Sequence, residues 1–171
     1  ENKILVYLPF EHLDDIKAML EPFSSMQFFV YGISGLYENI DQGHIHLRPY
    51  SRGGFLADLI DCNGVISNAG FELTSEALQL GKRVLVKPLR GQLEQSSNAL
   101  AVAQLSLGKV MPHLCRQTVE SWFLSSTLPA TGYPDVAGLI ARWIDQGEWR
   151  DVNTLSTLAW DQTENPPKWA N

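Results

Sequence analysis

The segment GVISNAGFELTSEAL, residues 64–78, places a glycine between an apolar run and a helical pattern and adds carboxylates beyond it. If a helix begins just after Gly70, its free N–H groups and its dipole favour an anion, and the glycine lets a phosphate approach the backbone. Glu76 would lie about 9 Å farther along the axis. That is about one ribose away from the phosphate, and a carboxylate can accept hydrogen bonds from two adjacent hydroxyls. The same residues also fit a simple strand–helix turn followed by a solvent-facing glutamate.

A second polar cluster follows the next apolar run, in KPLRGQLEQSSNA, residues 87–99. Pro88 ends the run, and Glu94, Gln95 and Asn98 open the next helical pattern. Gln95 and Asn98 are three residues apart and so share a helix face. One carboxylate and two amides at a strand mouth suit sugar hydroxyls, although they also fit an ordinary polar surface.

The elements that must position these clusters alternate along the chain as apolar runs and helical patterns. The predicted strands are 3–8, 26–32, 44–50, 64–67, 83–88 and 109–111. The predicted helices are 11–23, 55–62, 71–80, 93–105, 117–126, 135–147 and 153–160, with Gly81 and Gly108 as end residues of the third and fourth.

Strictly alternating strands and helices, with strands apolar throughout, predict an α/β fold. We expect a doubly wound, parallel, six-stranded, Rossmann-like sheet with helices on both faces and extra carboxy-terminal helices. Residues 1–112 would form the α/β core, and residues 113–171 would form closing helices of the same domain.

Composition excludes several classes of function. The chain has 171 residues with a formal net charge of −6, which disfavours a nucleic-acid partner because phosphate backbones need a basic face. Its two cysteines, Cys62 and Cys115, form no metal-type spacing and favour a reducing, cytoplasmic location. Neither G-x-G-x-x-G nor the P-loop pattern occurs, so a dinucleotide or P-loop site lacks support.

The two clusters together carry a family resemblance. The stretch ISNAGFELTSEALQLGKRVLVKPLRGQLEQSSNA, residues 66–99, resembles the donor-binding half of GT-B glycosyltransferases. It is most similar to the peptidoglycan N-acetylglucosaminyltransferase and the UDP-glycosyltransferases. Their pattern is a glycine after a strand, a glutamate six residues on, a proline after the next strand, and then Asp/Glu-Gln-x-x-Asn-Ala. The matching positions here are Gly70, Glu76, Pro88, Glu94, Gln95, Asn98 and Ala99.

The resemblance implies a nucleoside diphosphate sugar as the ligand, with UDP as the expected nucleotide, and no cofactor. The implied binding residues are Gly70 and Phe71 for the diphosphate, Glu76 for the ribose, Glu94 and Gln95 for the sugar with Asn98 near them, and Tyr50, Ser51 and Arg52 for the base. Ser67 and Asn68, just before the glycine, are expected to belong to the same substrate site. Since no D-x-D motif occurs, the expected transfer of a hexose or N-acetylhexosamine is metal-independent. Asn68 replaces the His or Arg of many relatives, and Leu73 replaces their Ser or Thr. Backbone amides are therefore expected to make the phosphate contacts.

GT-B enzymes bind the acceptor, and usually place the catalytic base, on an amino-terminal domain of similar size. No strand–helix series precedes Glu1, so we expect that half in a longer protein or in a separate subunit. The isolated chain is then expected to be inactive. Any contact with the inner face of the membrane would be made by the missing half.

His12 is the one catalytic candidate in this chain, and it also fits a surface histidine at a helix start. Two rival functions remain open at this stage. One is a sugar-nucleotide epimerase domain, which would need its own acid and base. The other is a non-catalytic α/β binding module, which would have no affinity for nucleotides.

Overall fold

A computed structural model describes residues 2–125, 133–147 and 152–161. The strands are β1 (Lys3–Tyr7), β2 (Gln27–Tyr31), β3 (Ile40–Gln42), β4 (Ile45–Leu47), β5 (Gly64–Asn68), β6 (Arg83–Lys87) and β7 (Lys109–Val110). The helices are α1 (Leu13–Leu20), α2 (Arg52–Asp61), α3 (Phe71–Gln79), α4 (Leu93–Gln104), α5 (Arg116–Phe123), α6 (Val136–Gln146) and α7 (Val152–Asp161).

The strands form one sheet in the order β3-β4-β2-β1-β5-β6-β7. All neighbouring pairs are parallel except β3 and β4, which are antiparallel. Along the sheet, the six parallel strands run third, second, first, fourth, fifth, sixth in chain order. The direction of winding therefore reverses between β1 and β5, and ligands of open α/β sheets bind outside the carboxyl ends of strands at such a reversal.

The doubly wound α/β fold is confirmed, but the prediction of six strands is wrong by one. Strand β3 joins the edge of the sheet, and the connection from β2 to β4 contains no helix among the described residues, so the strict alternation fails there. All three residues of β3 are exposed. A strand without a buried apolar face leaves no hydrophobic period in the sequence, which explains why it escaped prediction.

The strands are apolar throughout because both faces of the sheet are covered. One face packs under α1 and α5, and its buried side chains are Ile4, Val6, Phe28, Val30, Ile66, Leu85, Val119 and Trp122. The alternate strand positions Leu5, Val65, Val84 and Val86 are also buried. They point to the opposite face, where α2, α3 and α4 contact the sheet.

Only one of the two glycines expected to end helices does so. Gly81 follows α3 with φ 68°, and the N–H of Lys82 bonds to the carbonyl of Ala77, which is the expected helix end. After α4, the left-handed residue is Ser106, with φ 56°, so the prediction for Gly108 is wrong. Gly108 is instead required by packing, because a Cβ there would lie 2.5 Å from the carbonyl oxygen of Val84.

The chain divides into two compact units, Glu1–Pro129 and Ala130–Asn171. The first contains the sheet and α1 to α5, and the second contains α6 and α7, which contact each other. Helix α6 begins where the Asp135 side chain accepts a hydrogen bond from Gly138 N. Along α6, Val136 and Ile140 are exposed apolar residues four positions apart, so part of its apolar stripe faces solvent.

No helix in the described part of the chain is long and apolar enough to cross a membrane. Within the same residues, no three His, Cys, Asp or Glu side chains are grouped as metal ligands.

Candidate functional site

The carboxyl ends of β5 and β6 lie side by side next to the reversal of strand order. Asn68 ends β5 and pairs in register with Lys87, which ends β6. The side-chain amide of Asn68 donates a hydrogen bond to the carbonyl of Lys87 at 2.9 Å. The two sequence clusters, after Asn68 and after Lys87, therefore meet at one edge of the sheet, as the sequence predicted.

Gly70 is the residue before the first turn of α3, and its backbone conformation does not require a glycine. Its φ of −69° and ψ of 143° are extended values that any residue adopts. A Cβ built on Gly70 would meet no atom within 4 Å. Neither the backbone conformation nor packing within the described residues requires the glycine, and the open space above it lets a ligand come close to the backbone.

The first turn of α3 points free N–H groups at this space. The Gly70 position supplies no side-chain cap, and Phe71 is 68% exposed. The Thr74 hydroxyl donates to the carbonyl of Gly70 at 2.7 Å, and the Ser75 hydroxyl donates to the carbonyls of Phe71 and Glu72. Both hydroxyls are used within the helix, so an anion here would be held by backbone N–H groups and the helix dipole.

Two buried polar atoms lie just before the Gly70 corner, the turn from the end of β5 through Gly70 to the start of α3. Ser67 Oγ and Asn68 Oδ1 are buried and have no hydrogen-bond partner among the described residues. Buried polar atoms of native proteins are nearly always paired, with protein, water or ligand. Both atoms lie at the end of β5, so two unsatisfied hydrogen-bonding groups are directly beside the Gly70 corner.

The predicted sugar-binding amides also hold the loops of the site together. Gln95 is buried, and its Oε1 accepts a hydrogen bond from the backbone N–H of Leu89 at 3.0 Å. The Asn98 amide donates to the carbonyl of Ala69 at 2.9 Å. Helix α4 is thereby tied to the loop after β6 and to the corner before α3. The spacing of Gln and Asn thus has a structural function, in addition to any contact with sugar.

An ion pair across the end of the sheet was not found from the sequence. Lys87 Nζ pairs with Glu11 Oε1, and the two side chains are only 12% and 17% exposed. Glu11 lies in the loop after β1, so the pair spans the intervening strand β5. The two residues are 76 positions apart, and neither belongs to a recognisable motif, so only the fold brings them together.

The carboxylates predicted to bind hydroxyls are exposed. Glu76 on α3 and Glu94 on α4 are both accessible to solvent. Neither forms an ion pair with another described residue, whereas Glu11 does. Exposed, unpaired carboxylates are free to accept hydrogen bonds from a sugar or ribose.

The loop predicted to hold the base lies between β4 and α2. Tyr50 is 88% exposed. The Ser51 hydroxyl caps α2 by accepting from Gly54 N at 3.2 Å, which starts that helix at Arg52, three residues before its predicted start. Tyr31 donates to Asp58 at 2.6 Å, and burial, followed by that hydrogen bond, raises the pKa of Tyr31. This bond anchors α2 to β2 and so fixes the loop.

His12 lies exposed in the loop after β1, directly before α1. Its side chain makes no capping hydrogen bond. The structure places it at the same end of the sheet as Gly70 and does not bring it to a carboxylate partner among the described hydrogen bonds. Its catalytic role stays a prediction.

The sequence profile described as glycosyl transferase family 1 matches residues 1–129. This chain belongs to glycosyl transferase family 1. The matched range coincides with the first compact unit, which contains the entire sheet. The resemblance to the donor-binding half of GT-B glycosyltransferases is thereby confirmed.

Solved structures of glycosyltransferases share the fold of this family 1 chain. One is a glycosyltransferase of kitacinnamycin, at 16% identity and a TM-score of 0.59, which covers 72% of this chain and 34% of its own. A second is SnogD from Streptomyces nogalater, at 17% identity and a TM-score of 0.55, which covers 71% and 33%. A third is CalG4, the calicheamicin glycosyltransferase, at 20% identity and a TM-score of 0.55, which covers 72% and 34%.

This family 1 chain thus spans about one third of the length of the structures that it matches. A search of curated proteins returned no significant match. Membership of the family therefore rests on the profile, and the solved structures add the fold.

Proposed function

We propose that this chain is the donor-binding half of a metal-independent GT-B glycosyltransferase, with a nucleoside diphosphate sugar, most simply a UDP-sugar, as its ligand. The observation that carries the proposal is the Gly70 corner. The first-turn N–H groups of α3 have no side-chain cap, and the space above Gly70 is open although the backbone conformation does not require a glycine. The corner also lies next to the reversal of strand order, where open α/β sheets bind ligands.

In the proposed reaction, the bond between the anomeric carbon of the sugar and the diphosphate breaks. An acceptor hydroxyl bonds to that carbon and gives its proton to a base on the missing half. The start of α3 stabilises the negative charge that develops on the leaving diphosphate, because its N–H groups and dipole are already oriented. Glu76 accepts from the ribose hydroxyls, and Glu94 with Gln95 contacts the sugar.

The missing half is proposed to be an acceptor-binding domain, in the same protein or in a partner subunit. The matched structures are about twice as long as this chain, since 72% of its residues cover only 34% of the first. The exposed Val136 and Ile140 on α6 offer apolar surface of the kind that a further domain buries.

The direct test is titration of the chain with UDP followed by calorimetry, with GDP and ADP for comparison. Saturable binding of at least one nucleoside diphosphate is expected. Absence of binding by all three would contradict the proposal and favour the non-catalytic module.

Replacement of Glu76 by alanine should weaken UDP binding by about 1.5–3 kcal/mol, the range for hydrogen bonds to a charged group. The same change should have little effect on 2′,3′-dideoxy-UDP, which lacks both hydroxyls. Calorimetry with the two ligands measures the difference. Glu120→Ala, an exposed glutamate on α5, is the matched control and should bind as the wild type does. Equal losses with both ligands would assign Glu76 a structural function.

The isolated chain should bind the donor but transfer no sugar. All motif residues assigned here serve the donor. The described histidine that is paired with a carboxylate, as a general base would be, is His46 with Asp41, and this pair lies at the β3–β4 edge and not beside Gly70. Transferase assays with several UDP-sugars and with glycan or lipid acceptors test this. Multiple turnovers by this chain alone would contradict the split site and direct attention to His12.

A further inference from the structure

A cavity opens at the opposite end of the strands from Gly70. It has a volume of about 220 Å³ and lies at the amino-terminal ends of β6 and β7, beside the ends of α4 and α5. Its charged lining residues are Lys82, Arg83 and Lys109, and no Asp or Glu lines it in the described part of the chain. Arg83 and Lys87 are the two ends of the same strand, so this cavity lies about 13 Å from the donor edge.

The three cations lack counter-charges. They hydrogen-bond only to neutral oxygen atoms: Lys82 to Ile60 O (2.6 Å), Arg83 to Phe123 O (3.2 Å), and Lys109 to Ser121 O and Oγ (2.8 and 3.0 Å). Among the residues that the structure describes, none of the three forms an ion pair. Three positively charged residues without counter-charges therefore line one cavity of a chain whose net charge is −6.

The partly buried cations elsewhere on the sheet behave differently. Lys3, Arg48 and Lys87 each pair with a carboxylate, at Asp58, Asp41 and Glu11 respectively. The fold thus supplies counter-charges elsewhere on the sheet and leaves them out around this cavity. A bound anion would complete the same pattern there.

Arg83 is held in a fixed position. Its guanidinium donates to Phe123 O and lies 5.9 Å from the centre of the Trp122 ring. Its Nε is buried and has no acceptor among the described residues, a condition that is rare in native proteins. Trp122 is itself held against Gly64, where even a Cβ would lie 2.8 Å from the ring. The guanidinium is therefore pre-oriented, which reduces the entropy lost when it binds a ligand.

We propose that this cavity binds a phosphate group, separately from the donor site. An arginine fork with two ammonium groups is the donor set that suits phosphate oxygens. Pockets for whole drug-sized ligands measure about 300–1,000 Å³, so a cavity of about 220 Å³ fits one phosphate or a small phosphomonoester. The phosphate could be free in solution or belong to a lipid headgroup.

The test is an amide NMR titration of the full chain with inorganic phosphate. Saturable shifts are expected at the amides of Arg83, Val84, Gly108 and Lys109. The double variant Lys82→Gln/Lys109→Gln should bind about tenfold more weakly, because it loses two charge-assisted contacts. It leaves Arg83 in place, so the wall of the cavity is kept. Lys17→Gln/Arg116→Gln removes the same charge from α1 and α5 and should bind as the wild type does.

A second arm uses phosphatidylcholine vesicles with and without phosphatidate. Binding that requires phosphatidate and is lost in the double variant identifies a lipid source, whereas binding of inorganic phosphate alone identifies a free anion. The proposal is overturned if neither probe binds, or if the double variant and its control behave alike. Phosphate shifts confined to Gly70 and Phe71 also overturn it, while leaving the proposed donor site intact.

Discussion

Substitution of valine for Gly70 should reduce the affinity for UDP by about 100-fold or more, equivalent to about 2.8 kcal/mol. The valine side chain would occupy the space through which the diphosphate must reach the N–H groups of α3. A Cβ at this position meets no atom within 4 Å, and the φ of −69° accepts a branched residue. The protein should therefore fold normally and lose the ligand.

Compared with Gly70→Val, the variant Gly70→Ser distinguishes more clearly between an effect on stability and an effect on UDP binding. Serine is a favourable residue at the start of a helix, because its hydroxyl accepts from a first-turn N–H. The thermal midpoint should stay the same or rise, while the added atoms and the competing cap weaken UDP binding. Calorimetry and thermal unfolding of the three proteins make the comparison. Wild-type affinity in folded Gly70→Val would show that no phosphate binds at this corner.

Trp122→Ala should lower the free energy of unfolding by about 3–5 kcal/mol, the usual range for removal of a buried tryptophan. Trp122 is 1% exposed and belongs to the cluster that joins α5 to the sheet. Its ring lies 5.2 Å from that of Phe123, and it fills the space left by the missing side chain of Gly64. Gly64 has no side chain that could fill the space left by the ring.

Urea denaturation followed by circular dichroism measures this loss. Tyr37→Ala is the matched control, because Tyr37 is an aromatic residue that is 88% exposed, and its removal should change stability by no more than about 0.5 kcal/mol. Similar midpoints for the two variants would mean that α5 contributes little to the core. In that case the assignment of α5 to the first compact unit would need revision.

The sequence by itself determined the layout of the sheet edge at Gly70. Continuous apolar runs such as ILVY and GVIS can be buried only when both sheet faces are covered, so they predicted the parallel sheet and its order of elements. The glycine before a helical pattern, and Gln95 and Asn98 three residues apart, placed both clusters at strand ends. These features are local, because strand period, helix period and turn residues act over only a few positions.

Contacts between distant segments were decided only by the tertiary structure. The Glu11–Lys87 pair and the cavity around Arg83 and Lys109 form because parallel strands bring remote residues into register. Strand β3 is held by its pairing with β4 and by the contacts of Asp41 with His46 and Arg48, since none of its residues is buried. Burial and backbone pairing of this kind depend on the residues of the neighbouring strands. The hydrophobic periodicity along the chain carries no information about those neighbours.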